Sequence, residues 1–282
     1  MGELRDRMEA DLRVAGYRES TQRIYLRSVK GFAAHFMRAP TELGAEEVRS
    51  YFLHLTERGI SPSTQRIVRA SLAFLYQVTL NRPHEIIWLP VAKRRKPLPV
   101  VLSPSEATEL ILAIRSPKYR VIVLSMYGSG LRVSEACALK CENIDSKRMV
   151  LHIVDGKGGR DRYTVLPQYL LRSLREYWRL ARPKGPCLFP GRFSGSLHPS
   201  SVQSVIREAR EEAGIRKPVT PHTFRHSFAT QLVQDGVNMA IIQVMLGHAS
   251  LQTTRRYVHV SVPGLGETPN PLDRLELPDP SF

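Results

Sequence analysis

The sequence predicts a mainly α-helical protein of two domains, the second carrying a small antiparallel β-sheet. Three observations predict it. Apolar residues recur at helical spacing through most of the 282 residues. Between Met149 and Pro167 the pattern changes to two β-rich runs around a glycine-rich turn. A basic, proline-bearing run, Lys93-Arg94-Arg95-Lys96-Pro97-Leu98-Pro99, divides the helical pattern. With 42% apolar and 24% charged residues the composition is that of a globular protein, and the length provides for one large or two modest domains.

The first ninety residues read as helices, through STQRIYLRSVKGFAAHF, AEEVRSYFLHL and STQRIVRASLAFLYQVTL. Pro40 and the stretch Gly59 to Ser63 separate them, with Ser61 as an N-cap and Pro62 at the first helical position. Helices resume at Ser103-Pro104-Ser105-Glu106, a cap, a first-position proline and a capping-box glutamate. The run MVLHIVDGKGGRDRYTVLP reads as a hairpin, after which helices return until about Val258. This gives a helical domain over residues 1–92, a linker over 93–102, a second domain over 103–260 and a tail over 261–282. The tail is Pro-rich, with an apolar patch from Leu272 to Leu277, and is expected to be mobile or docked on a partner. There is no internal repeat.

The chain carries 41 Lys+Arg against 26 Asp+Glu, a net charge of +15. Up to Lys96 there are 17 basic and 10 acidic residues, and 24 and 16 beyond it, so both halves are basic. Such an excess fits a polyanionic partner, and two basic halves fit two surfaces that close on one duplex. Arg23, Arg27, Arg66 and Arg69 on the N-terminal helices are candidates for phosphate contacts, and Lys93, Arg94, Arg95 and Lys96 either follow a phosphate backbone or form a solvated loop. The apolar runs are too short for a membrane span and the amino terminus alternates charges, so a cytoplasmic, nucleoid-associated protein is expected. Three cysteines, Cys137, Cys141 and Cys187, make neither a disulfide framework nor a zinc pattern, and no metal site is expected.

Four stretches carry candidate chemistry. In Thr220-Pro221-His222-Thr223-Phe224-Arg225-His226, Thr220 caps a helix whose first turn presents His222 and Arg225 three residues apart. Backbone N–H groups and the helix dipole favour an anion there, though two polar residues on a solvated turn fit the segment equally. His226, beside the Phe224 and Phe228 face, is assigned to structure. In Gly128-Ser129-Gly130-Leu131-Arg132-Val133-Ser134-Glu135, two glycines end one helix and Glu135 is placed to orient Arg132 in the next; a surface ion pair is the alternative. Lys157 occupies the hairpin tip, as a proton donor or a solvated lysine. In the stretch from Leu246 to His259, Gly247 ends a helix opened by Asn238, and Tyr257 lies two turns into the next, as a nucleophile or a packing residue.

Together GSGLRVSEACAL, GKGGRDR, PHTFRHSFAT and LGHASLQTTRRYVHV resemble the signatures of the tyrosine recombinases, the phage-integrase family, and most closely its Xer-like branch. The resemblance extends over nearly the whole chain and implies a SAM-like, core-binding N-terminal domain ahead of a catalytic domain. It implies that Arg132 and Arg225 grip the scissile phosphate, that His222 and His248 complete the pocket, that Tyr257 attacks to form a 3′-phosphotyrosyl link, and that Lys157 protonates the leaving 5′-oxygen. No cofactor, metal or ATP is implied. The implied partners are double-stranded DNA with specific recombination sites, a homotetramer on that DNA, and an accessory or partner recombinase. In Xer-like relatives the segment after the nucleophile docks as a helix on a neighbour. Here it holds Gly264, Gly266 and Pro269, and Asn270-Pro271-Leu272-Asp273 resembles tails of integron integrases, leaving Leu272, Leu275 and Leu277 as candidates for an interprotomer anchor. A type IB topoisomerase or a non-catalytic DNA-binding protein of the same fold are the competing readings. A metal-dependent nuclease lacks its carboxylate cluster.

Overall fold

In the computed structural model, which describes residues 2–86, 100–154, 161–191, 195–247 and 268–279, the chain divides after Pro97 into two units. The first unit is helical: α1 (Gly2–Val14), α2 (Glu19–Phe36), α3 (Ala45–Glu57) and α4 (Pro62–Phe74), the last running into a π-turn over Leu75–Thr79. The expected start signal holds, since Ser61 Oγ accepts from the Thr64 N–H with Pro62 next in line. Each helix turns one apolar stripe inward, and Met8, Leu12, Phe32, Val48, Leu72 and Leu75 close a single core. Tyr76 is buried there with its hydroxyl donating to the Leu43 carbonyl at 3.0 Å, so its polar end is satisfied. Arg23 and Arg27 lie exposed one turn apart on α2, and with Arg5 and Lys30 line a cleft of about 620 Å³; Arg66 and Arg69 are half-buried on α4. The run Lys93 to Lys96 lies outside the described residues.

The second unit comprises α5 (Pro104–Ala113), α6 (Pro117–Ser129), α7 (Val133–Cys137), strands β1 (Ile144–Asp145), β2 (Val150–Ile153) and β3 (Arg162–Val165), then α8 (Gln168–Ala181), α9 (Pro199–Glu212), α10 (Pro221–Gln234) and α11 (Met239–Leu246). The predicted capping box is present: Ser103 Oγ accepts from the Glu106 N–H while the Glu106 carboxylate accepts from the Ser103 N–H. Leu102, placed by the sequence in the linker, is instead buried in this unit's core, and its N–H donates to Ser227 Oγ at 2.9 Å. The hairpin pairs antiparallel with Leu151 opposite Thr164 and Ile153 opposite Arg162, and β1 adds a third strand alongside β2. Residues 155–160, including Lys157, lie outside the described residues.

α6 is the centre of this unit, apolar all round and buried from Val121 to Ser129. Of the two glycines expected to end it, only the second does. Gly128 lies inside the helix, where a Cβ would stand 2.8 Å from Leu272 Cδ2. Gly130 ends it in the left-handed region at φ +64°, where a Cβ would stand 2.7 Å from the Phe228 ring.

The carboxy-terminal segment corrects a second expectation. Residues 268–279 pack on their own unit: Asn270 donates to the Gly128 carbonyl, the Asn270 side chain accepts from the Leu272 N–H, and Leu272 is 1% exposed in the core formed by α6 and α8. Leu275 and Leu277 pack against the same core, and Tyr169 donates to the Pro278 carbonyl at 2.9 Å. Within these described residues the chain forms a short turn over Pro271–Arg274, and the three leucines pack on their own unit where an interprotomer anchor was expected. Leu272→Ala should therefore destabilise the isolated chain by about 2–4 kcal/mol, the cost of a large-to-small change in a closed core. Urea unfolding of the dilute monomer measures it, and unchanged stability would mean that the segment leaves its own unit in solution.

Candidate active site

The sequence places arginines at the starts of two helices, and the fold brings both to one carboxylate. α10 opens as expected, with Thr220 at the N-cap, Pro221 at the first position and Thr223 Oγ1 accepting from the Thr220 N–H at 3.0 Å. Phe224, Phe228 and Leu232 follow at four-residue spacing and are fully buried. That anchored face turns Arg225 inward, so its side chain is only 7% exposed. It is no solvated turn residue. His222, one turn earlier, is exposed on the same helix start.

A buried guanidinium needs acceptors, and this one finds the ends of two other helices. Arg225 Nη1 donates to the Gly130 carbonyl at 2.5 Å, and Nη2 donates to the Leu246 carbonyl. These carbonyls end α6 and α11, where helices leave acceptors unsatisfied and the dipole is negative, so Arg225 caps both. Burial first, then the Arg132 charge, lower the Arg225 pKa to about 9, with Glu135 opposing and Arg162 adding to the fall. It stays cationic at neutral pH, in a setting that an anion would relieve.

Arg132 stands at the N-cap of α7, just before the helical turn that was expected to hold it. Glu135 reaches back to it twice, accepting from its backbone N–H at 2.8 Å and from Nη1 at 2.7 Å. Arg132 Nη2 donates to the Gly247 carbonyl at 3.3 Å, at the end of α11. With the Glu135 side chain 8% and the Arg132 side chain 18% exposed, this is a largely buried pair and no surface ion pair. Glu135 also accepts a fork from Arg162 on β3, at 2.9 and 2.6 Å, and lies 3.9 Å from Arg225. Arg162 passes close under Gly247, where a Cβ would meet its Cδ at 2.8 Å in a backbone already at φ +59°.

Three guanidiniums and one carboxylate thus share a site closed by the end of α11, and the unneutralised charge is suited to an anionic oxygen group such as a phosphodiester. Residues 248–267, with His248 and Tyr257, lie outside the described residues, as does Lys157. His226 departs from expectation: it is exposed, one turn after His222, rather than packed on the Phe224 face. Burial first, then His222 and Arg225, lower its pKa, as befits a ring beside this cationic site. Sequence reasoning missed Arg162. Its signal was a basic residue opposite Ile153 on the inward face of the hairpin. No group of three metal-ligating side chains occurs among the described residues, and no described helix is long and apolar enough to cross a membrane.

Burial alone would raise the Glu135 pKa, but hydrogen bonds and charge from Arg162, with those from Arg132, bring it down to about 2. A carboxylate depressed from 4.5 to about 2 contributes about 3 kcal/mol of stability above pH 4.5, lost as the pH falls through about 2. Glu135→Gln should cost at least about that much at pH 7, the gap from the wild-type chain narrowing progressively below about pH 4.5. Urea unfolding followed by circular dichroism measures this, and a gap independent of pH would contradict it.

Comparison with known proteins extends the site to a family. The phage integrase family matches residues 100–262, and the phage integrase N-terminal SAM-like domain matches residues 4–86. The protein y4qK of Sinorhizobium fredii is 40% identical over 288 residues, covering 100% of this chain and 92% of its own length. Tyrosine recombinase XerA of Pyrococcus furiosus is 36% identical over 94% of this chain and 92% of its own. In fold, a λ integrase dimer bound to a core site superposes with a TM-score of 0.72 at 18% identity, covering 92% of this chain and 95% of that one. A SAM-like helical unit ahead of a unit whose buried arginines converge on one carboxylate, matched along the whole chain, places it in the phage integrase family, among the Xer-like tyrosine recombinases.

Proposed function

We propose that this chain cleaves and rejoins DNA at specific sites through a 3′-phosphotyrosyl intermediate at Tyr257, exchanging strands between two sites in a tetramer. The observation that carries the reading is the half-buried Arg132 beside the buried Arg225, held on the ends of α6 and α11 with charge in excess of Glu135. The net charge of +15 and the cationic cleft on the SAM-like unit are consistent with a duplex as partner.

In this reading Arg132 and Arg225 take the non-bridging oxygens of the scissile phosphate. Two of Arg225's five N–H groups are engaged by carbonyls among the described residues, which fixes the guanidinium plane and leaves donors for the oxygens. A tyrosine hydroxyl is a poor nucleophile until its proton is removed, and His222 at the start of α10 takes that proton as Tyr257 attacks. Attack forms the Tyr257 O–P bond and breaks the bond from phosphorus to the 5′-oxygen, which Lys157 protonates. His248 donates to the phosphoryl oxygens. The phosphodiester energy stays in the covalent link, so the reverse attack by a 5′-hydroxyl from the second site reseals the strand without ATP. The guanidiniums stabilise charge that developed metal ions stabilise in other enzymes. Arg23, Arg27, Arg66 and Arg69, with Lys93 to Lys96, supply phosphate contacts that hold the duplex. The working compartment is the nucleoid, where the substrate lies.

Detergent trapping on fragmented source DNA, in EDTA and without nucleotide, tests the reading. Adducts at discrete sequences that vanish in Tyr257→Phe are expected. Adducts spread over all sequences would indicate a topoisomerase, and tight binding without adducts would indicate a DNA-binding protein. Arg225→Ala should slow cleavage by at least about 100-fold, about 3 kcal/mol of transition-state stabilisation, while DNA affinity in a shift assay stays near that of the wild type. Lys157→Ala should be rescued by a substrate with sulfur at the bridging 5′ position, and absence of rescue would assign the proton donor elsewhere.

A further inference from the structure

Arg162 has no part in the chemistry above, yet it is the guanidinium most fully held by the site. Its side chain is 6% exposed. Nη1 and Nη2 donate to the two oxygens of Glu135, and Nε donates to the Met245 carbonyl at 2.8 Å. The Arg132 side chain shares one of those oxygens, its backbone N–H the other, and Arg225 stands farther off, at 3.9 Å. The four side chains carry three positive charges and one negative, an excess of two.

The geometry points to Arg162 as the counter-ion that occupies Glu135, so that Arg132 and Arg225 keep their charge for the phosphate. It is a positioning residue, and the inference rests on the recombinase reading above. Without it, the Glu135 carboxylate has Arg132 at 2.7 Å and Arg225 at 3.9 Å as its remaining partners, and the excess falls from two to one. A phosphodiester brings one negative charge, and a second develops as phosphorus becomes pentacoordinate. An excess of two matches the transition state and an excess of one only the ground state. Loss of Arg162 should therefore slow cleavage far more than it weakens binding.

The charge count gives a test that a scaffolding role would not pass. Full-length chains are compared on an oligonucleotide carrying a trapped site, by the single-turnover rate of covalent adduct formation and by affinity in a shift assay. R162Q should cleave roughly 100-fold more slowly at nearly unchanged affinity. R162K, which keeps the charge and loses the fork, should remain within roughly tenfold of the wild type. The double variant E135Q/R162Q restores the excess of two and should cleave roughly tenfold faster than R162Q. A double variant no faster than R162Q, or R162K as slow as R162Q, overturns the inference. Should R162Q fail to fold, the double variant, which leaves no buried carboxylate unpaired, carries the test alone: it should fold and cleave within roughly tenfold of the wild type, and failing either overturns the inference. A wild-type chain that traps no DNA overturns the recombinase reading along with this one. A trapping wild type with an unimpaired R162Q overturns the role of Arg162 alone.

Discussion

The second unit is organised around one carboxylate. Burial alone would raise the pKa of Glu135, since desolvation penalises its charge, but Arg162 and Arg132 hold it ionised with a pKa near 2. Each partner comes from a different element: Arg132 from the start of α7, Arg162 from β3 and Arg225 from α10. The carboxylate is thus the point at which the hairpin, the short helix after the glycines and the anchored helix are joined. A buried ion cluster of this kind is weak support for stability in itself, because desolvation offsets much of the attraction. Its consequence is a fixed geometry and a retained positive charge.

The backbone completes what the side chains begin. α6 and α11 both end in left-handed glycines, Gly130 and Gly247, and their terminal carbonyls face the arginines. The left-handed turn frees those carbonyls from the helical ladder, and the close packing of Phe228 on Gly130 and Arg162 on Gly247 leaves no room for a Cβ. Guanidiniums held by carbonyls need no further carboxylates to be satisfied. A site built this way keeps its charge for an incoming anion, where a set of acidic partners would cancel it.

The carboxy-terminal segment reaches the same structure from the far side. Asn270 caps its own short turn and binds the Gly128 carbonyl, and Leu272 fills the space that the absent Gly128 side chain leaves. The last turn of α6, which presents Gly130 to Arg225, is therefore braced by residues that follow the active-site motifs in sequence. Stability of the tail and geometry of the site are coupled through one helix.

Local signals decided much of this protein. The capping serines before Pro62 and Pro104, the helical stripes, the hairpin about its glycines, and Asn238 and Gly247 bounding α11 all depend on residues within a turn or two of one another, so they were legible without the fold. The pairing of Arg132 with Glu135, three residues apart, was legible for the same reason. Burial was not. Whether Arg225 is solvated or interred depends on helix ends 95 and 21 residues away, and His226 lies outside because the neighbouring phenylalanines take the inner face. Arg162 looked like an ordinary strand residue because its carboxylate is 27 residues distant, and the tail looked free because its pocket lies 142 residues back, at Gly128. The sequence by itself determined the helices, their caps and the types of residue that meet at the site; tertiary structure alone decided which charges are buried, since desolvation is a property of the packed surroundings and of no single segment.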